Sequence, residues 1–196
     1  MLIAITGGIG AGKSVVSQIL RTLGYPVYDC DMQARIIMDN DREIHHSLCR
    51  HIHPQAVVDG IIDRPLIASV VFNDPDALAR LNNIVHGAVT DHLGTWSRAC
   101  TQDGREIQFV ETAIPVQSGL YRRVDAIWHV TAPVPLRIER VQRRSGLSPA
   151  QVLARIEAQQ SENLDNIPHQ DIRNDSDTPL LPRLHHLLHT IHTHKN

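Results

Sequence analysis

At 196 residues the chain is long enough for one well-filled core with small insertions, and too short for two independent domains. Its 42% hydrophobic and 20% charged residues exclude intrinsic disorder, and a formal net charge of −2 excludes the global basic field of a nucleic-acid binder. No apolar run reaches membrane-spanning length, the opening MLIAI lacks a basic leader, and Cys30, Cys49 and Cys100 form no CxxC spacing, so a soluble cytoplasmic protein without a disulfide or zinc framework is expected.

In chain order, residues 2–6 read as a short buried strand, followed by a glycine-rich loop. Residues 14–24 place Val15, Ile19, Leu20 and Leu23 at helical spacing, with Gly24 as C-cap. YPVYDCD (25–31) reads as a second strand ending in two acids, and strand–loop–helix–strand implies a parallel pair with a right-handed crossover. From 32 to 105 the pattern is helical, with a turn at 57–65 and a long helix from Pro75 to about Trp96. Strands are expected at 106–114 and 124–133, helices at 136–144 and 150–160, a short strand at 170–175 and a closing amphipathic helix over LLPRLHHLLHTIHT. This alternation predicts an α/β fold with a doubly wound sheet.

The segment Gly7-Gly8-Ile9-Gly10-Ala11-Gly12-Lys13-Ser14 satisfies GxxxxGK[ST], with a strand before it and a helix after it. Glycines let the backbone amides turn inward on phosphates, and the helix start adds partial positive charge. Lys13 reaches the β- and γ-phosphates, and the Ser14 hydroxyl is placed for Mg²⁺. Of the nineteen Lys and Arg residues only Lys13 and Lys195 are lysine, so a compact ammonium is kept where one is wanted. The Lys-Ser pair disfavours a dinucleotide site. With Lys195 as the only other lysine, the Lys-x-Asp element of a guanine-specific switch is absent.

Asp29 and Asp31 lie at the end of the second strand. Two-residue periodicity would set them on one side if the strand continues, where an acid orients and deprotonates a hydroxyl or holds Mg²⁺ through water; the alternative is an N-cap role for Asp31. Arg137, Arg140 and Arg144 share one helix face, either as a lid that neutralises phosphate charge or as a solvated face partnered by Glu139. His185, His189 and His192 also share a face, explained by surface histidines on an amphipathic helix.

TGGIGAGKS, YDCDMQAR, DGIIDRPLIASVVFNDPDALARLNNIVH, FVETAIPVQSGLYRRVD, RVQRRSGLSPAQVLARIEAQ and IRND, in that order, resemble the dephospho-coenzyme A kinase family across nearly the whole chain. The resemblance implies a P-loop kinase fold: a five-stranded parallel sheet flanked by helices within a single domain, 1–196. Its core would be about 1–29, 106–132 and 169–196, with a helical substrate subdomain about 30–105 and a small lid about 133–168. It implies phosphorylation of the ribose 3′-hydroxyl of dephospho-coenzyme A, with ATP and Mg²⁺ and no nucleic acid, membrane or obligate protein partner.

By position, Asp31 matches the family's catalytic acid, beside Lys13 and Arg140. Nucleotide contacts fall on Gly8, Ile9, Gly10, Ala11, Gly12, Lys13, Ser14, Val15, Arg144 and Asn174, the last in the adenine-binding segment. Asp31, Arg35, Arg64 and His86 fall on the substrate side, although His86 taken alone reads more readily as a structural helix histidine. Three positions depart from the family pattern: Gly87 stands for proline, Gln117 for glutamate and Pro168-His169 for Ala-Asp. A nucleotide-binding regulatory module without transfer activity is the alternative they raise. The intact Lys13, Ser14, Asp31 and Arg140 set favours the kinase.

Overall fold

The computed structural model describes residues 1–159 and 162–193. The last residue of the expected 150–160 helix, Gln160, and Lys195 lie outside them. In chain order the elements are β1 (Leu2–Thr6), α1 (Lys13–Thr22), β2 (Val27–Asp29), α2 (Cys30–Asn40), α3 (Arg42–His51), β3 (Val57–Val58), β4 (Ile61–Ile62), α4 (Arg64–Asn73), α5 (Pro75–Gln102), β5 (Gln108–Glu111), β6 (Ala126–Thr131), α6 (Val134–Ser145), α7 (Pro149–Ala158), β7 (Gln170–Arg173) and α8 (Leu180–Thr193). The chain divides into two compact units, Met1–Val27 with Arg105–Asn196, and Tyr28–Gly104.

Of the main sheet, ordered β2-β5-β1-β6-β7, the first unit carries β5, β1, β6 and β7, with β1 paired in parallel to β5 and β6, and β6 in parallel to β7. Strands covered on both faces read as continuous apolar runs, and β1 is one, with Ile3, Ala4 and Ile5 fully buried. Its core joins those residues to Val16 and Leu20 of α1, Phe109, Trp128, Val130, Ile172, and Leu184 of α8. Tyr25 meets Phe109 edge to face and Phe109 meets Trp128 at a tilt, with ring centroids 5.6 and 5.1 Å apart. Helix α8 buries Leu184, Leu187 and Leu188 and turns His185, His186 and His189 outward, the division an amphipathic closing helix requires.

β1 leaves the sheet to one side through α1, and β5 leaves to the other towards β6. The carboxyl ends of β1 and β5 therefore flank a point where the connections part, the place where open α/β sheets bind ligands.

The second unit is helical around Ile37, Ile44, Leu48, Ala56 and Ile67, with Leu81, Ile84 and Val89 of α5 packed against them. Four of its features differ from expectation. The turn at 57–65 is a hairpin: β3 and β4 pair antiparallel around Asp59 (φ 51°) and Gly60 (φ 78°), both positive as a type I′ loop demands. Helix α3 falls within the stretch read as helical but was not set apart from its neighbours, because its apolar stripe rests on Ile44 and Leu48 alone. Helix α5 runs on to Gln102, since nothing after Trp96 breaks a helix before Asp103-Gly104.

The fourth concerns the two acids. The strand does not continue to residue 31: β2 ends at Asp29, which caps α2 by accepting a hydrogen bond from the Met32 amide at 2.9 Å. Asp31 lies in the first helical turn rather than on a strand, so the two-residue periodicity argument does not apply, and the N-cap is Asp29, not Asp31. Asp29→Ala is expected to cost about 1 kcal/mol of stability through the lost cap, read as a lower urea midpoint at unchanged m-value. An unmoved midpoint would show that the cap contributes nothing.

Candidate functional site

The loop after β1 is built by backbone geometry that only glycine supplies cheaply. Gly12, the N-cap of α1, has φ 100° and ψ 28°, and a Cβ there would run into the Asn174 side-chain amide. At Gly10 (φ 77°) a Cβ would meet the Arg137 carbonyl oxygen at 2.6 Å. No side chain caps α1, the arrangement in which a helix start takes an anion in place of a capping oxygen. The Lys13 ammonium donates to the Gly7 carbonyl at 2.8 Å, which folds its stem back over the loop. Ser14 and Val15 are exposed on the first turn of α1.

Two elements distant in sequence hold this loop. From the segment after β7, Asn174 donates through Nδ2 to the Ala11 carbonyl at 2.9 Å, while its own amide donates to Thr131 at the end of β6 (2.8 Å). From α6, the Arg137 Nε donates to the Ile9 carbonyl at 2.8 Å, and the Ile9 amide donates to Gln159 Oε1 at 2.7 Å.

Arg140, one turn beyond Arg137, donates through Nη2 to the Ser176 hydroxyl at 3.3 Å. Its Nη1 is buried with no hydrogen-bond partner among the described residues, and lies 3.9 Å from where a Gly12 Cβ would sit. A buried guanidinium donor left unmatched is costly, so this one fits an anionic oxygen supplied at the loop. Arg144 is exposed one further turn along. Glu139 pairs with Arg143 at 2.6 Å, not with the Arg137–Arg140–Arg144 face, so the solvated-face alternative fails for Arg137 and Arg140.

Thr6, Gly7, Gly8, Ala113, His129 and Arg137 line a cleft of about 450 Å³ at this end of the sheet, closed on one side by Gln159 and Glu162. Burial lowers the Arg137 pKa without bringing the group near neutrality, so its charge stays in the cleft. Burial also holds His129 below its ordinary pKa; His169 and Arg137 act in the same direction and Asp171 opposes them. The Glu162 carboxylate accepts from the Val116 and Gln117 amides at 2.8 and 3.1 Å, so an acid does reach the backbone where Gln117 replaces the glutamate of the family pattern.

The substrate-side candidates belong to the second unit. Asp31 and Arg35 are exposed one turn apart on α2. Arg64, at the start of α4, pairs with Asp39 at 2.7 Å, and with both side chains half exposed this pair is a weak, exchangeable contact. His86 is half-buried within α5, and Gly87 beside it leaves that helix unbroken.

The first unit thus gathers the loop, Arg140 and Asn174. Sequence reasoning left Gln159 and Glu162 out of the site altogether. It singled out Arg137 only as part of an arginine face. Only that i, i+3 relation to Arg140 was a usable signal; Gln159 carries none.

Comparison with known proteins agrees with this geometry. The family model described as dephospho-CoA kinase matches residues 1–179. A dephospho-CoA kinase of Bacteroides fragilis is 36% identical over 187 residues, 95% of this chain and 90% of the relative. One of Thermus thermophilus is 38% identical over 162 residues, covering 83% and 76%. Among solved structures, TT1252 from Thermus thermophilus superposes with a TM-score of 0.79 at 34% identity, over 100% of this chain and 98% of that one. The dephospho-CoA kinase from Campylobacter jejuni (TM-score 0.66, 22% identity, coverage 97% and 95%) shares the fold, as does the shikimate kinase of Acinetobacter baumannii (0.52, 14%, coverage 99% and 94%). Among the described residues no helix is long and apolar enough to cross a membrane.

Proposed function

The chain belongs to the dephospho-CoA kinase family, and on that footing we propose that it acts in the cytoplasm as an ATP-dependent kinase of the ribose 3′-hydroxyl of dephospho-coenzyme A. The observation that carries the reading is the family match over a phosphate loop beside which a buried arginine donor has no partner among the described residues.

In the proposed reaction the 3′-oxygen attacks the γ-phosphorus, the bond from γ-phosphorus to the β,γ-bridging oxygen breaks, and ADP leaves. The hydroxyl proton passes to Asp31, whose carboxylate orients the oxygen beforehand. Lys13 and the amides of Gly8–Val15 hold the β- and γ-phosphates, so the transferred group is positioned before it moves. Arg140 offers Nη1 to an oxygen whose charge rises during transfer, and Arg144 extends the same face one turn further. Mg²⁺, when bound, offsets charge on the β- and γ-phosphate oxygens, and Ser14, with its exposed hydroxyl at the start of α1, is the side chain that would hold it.

Asn174 fastens the adenine-side segment to the loop, and Arg35, Arg64 and His86 serve dephospho-coenzyme A. For Arg64 that role requires exchanging Asp39 for a substrate anion. Helices α6 and α7 act as the lid, supported by the contacts of Arg137 and Gln159 with Ile9 that already tie both to the loop.

Arg140→Gln is expected to lower kcat about 10²-fold with a smaller change in the KM for dephospho-coenzyme A, because the lost donor matters most as charge develops. An equal loss confined to KM would assign Arg140 to ground-state binding instead. The acceptor is tested by offering MgATP with dephospho-coenzyme A, its 3′-deoxy analogue, adenosine and AMP. Phosphate transfer to dephospho-coenzyme A alone, with the deoxy analogue acting as a competitive inhibitor, is expected. Faster transfer to a simple nucleoside would move the chain to another acceptor, and ATP binding without any transfer would favour a regulatory module.

A further inference from the structure

The parallel ladder of β6 and β7 sets His129 directly opposite Asp171. Paired residues of neighbouring strands project from the same sheet face, and His169, two residues before Asp171, falls on that face as well. The side chains meet there. His129 Nδ1 lies 3.1 Å and His169 Nε2 3.8 Å from the same Asp171 oxygen, and all three ligand atoms fall within 4.8 Å of one another. The two imidazoles stand edge to face, 5.4 Å between centroids.

His169 is oriented for ligation. Its Nδ1 lies 2.7 Å from the Ile167 carbonyl, which can only accept, so Nδ1 donates there and Nε2, in the neutral imidazole, is the nitrogen with a lone pair for the cluster. An imidazole whose other nitrogen donates to a carbonyl is the usual form of a metal-bound histidine. Tetrahedral Zn²⁺ with bonds of about 2.1 Å holds its ligand atoms about 3.4 Å apart, between the 3.1 and 3.8 Å separations seen here. The histidine side chains are 29% and 23% exposed, shielded yet reachable, and His129 also lines the cleft beside the phosphate loop, where water can take a fourth position.

We propose that His129, His169 and Asp171 form a binding site for a divalent transition-metal ion, Zn²⁺ by donor set, that clamps β6 to β7 next to the phosphate loop. The site is separate from the Mg²⁺ position at Ser14 and does not depend on the kinase reading.

The test uses the full chain without nucleotide or Mg²⁺, in a His185→Ala/His189→Ala background that removes the one-turn histidine pair on α8 as a competing chelator. Titration with Zn²⁺ should show one equivalent bound, and Co²⁺ should give the visible absorption of a four-coordinate site. His169→Ala and Asp171→Asn should each weaken Zn²⁺ binding roughly 100-fold or more, beyond the loss of an outer partner, while leaving the metal-free circular dichroism and Tm unchanged. Asp171→Asn keeps the side-chain shape, so it reads the ligand even if His169→Ala perturbs folding. No binding in the parent background, or binding of equal affinity in the Asp171→Asn variant, would overturn the site.

Discussion

Asp31→Asn is expected to lower kcat by roughly 10²–10⁴ and to leave ATP affinity nearly unchanged, the range set by removing a positioned general base. Asparagine matches aspartate in size and still accepts a hydrogen bond, so the acceptor hydroxyl remains oriented. What disappears is the ability to take its proton. The residue is exposed in the first turn of α2, and Asp29 rather than Asp31 makes the helix cap. The substitution therefore leaves the cap in place, and a fall in turnover cannot be a folding effect in disguise. Equilibrium binding of ATP and steady-state turnover, measured on one preparation, separate the two quantities. Turnover near the parent value would remove Asp31 from the mechanism.

Lys13→Ala is expected to reduce both ATP binding and transfer, with kcat down by about 10²–10³, as for the loss of one preorganised donor to a developing oxyanion. The ammonium is already folded over the loop onto the Gly7 carbonyl, so its position costs little to organise when phosphates arrive. Arginine does not replace it well: a planar fork spreads its charge where a compact one is needed. Lys13→Arg should therefore restore binding more than turnover, while full activity in Lys13→Ala would contradict the phosphate role. The comparison with Asp31→Asn is informative in itself, because only the lysine variant should lose ATP affinity.

The β1–loop–α1 unit was legible because its signals are local. A buried apolar run, glycines at positions of positive φ and a Lys-Ser pair all fall within 15 residues. Legibility failed where one local signal outweighed another, and where the structure depends on partners far away in sequence. Asp29 and Asp31 were read on one strand because YPVYDCD is apolar enough to extend, but a capping hydrogen bond to Met32 starts the helix at Cys30 instead. A residue of capping type followed by an acid in the first turn was the local signal for this, and the strand pattern outweighed it. The grip of Arg137 and Gln159 on Ile9 spans 128 and 150 residues of sequence, and no periodicity reports such a contact. The meeting of His129 with Asp171 depends on sheet register, which is fixed by the packing of whole strands. His169, by contrast, stood out in the sequence as a departure before its surroundings were known.

The central claim is that the phosphate loop serves transfer to one defined hydroxyl. The most direct measurement is a single turnover with γ-labelled ATP and dephospho-coenzyme A, locating the label in the product by phosphorus NMR. The account predicts stoichiometric appearance of the label as a phosphomonoester on the ribose 3′-oxygen. Label at another oxygen, or ATP retained intact on the protein with no labelled acceptor, would contradict it.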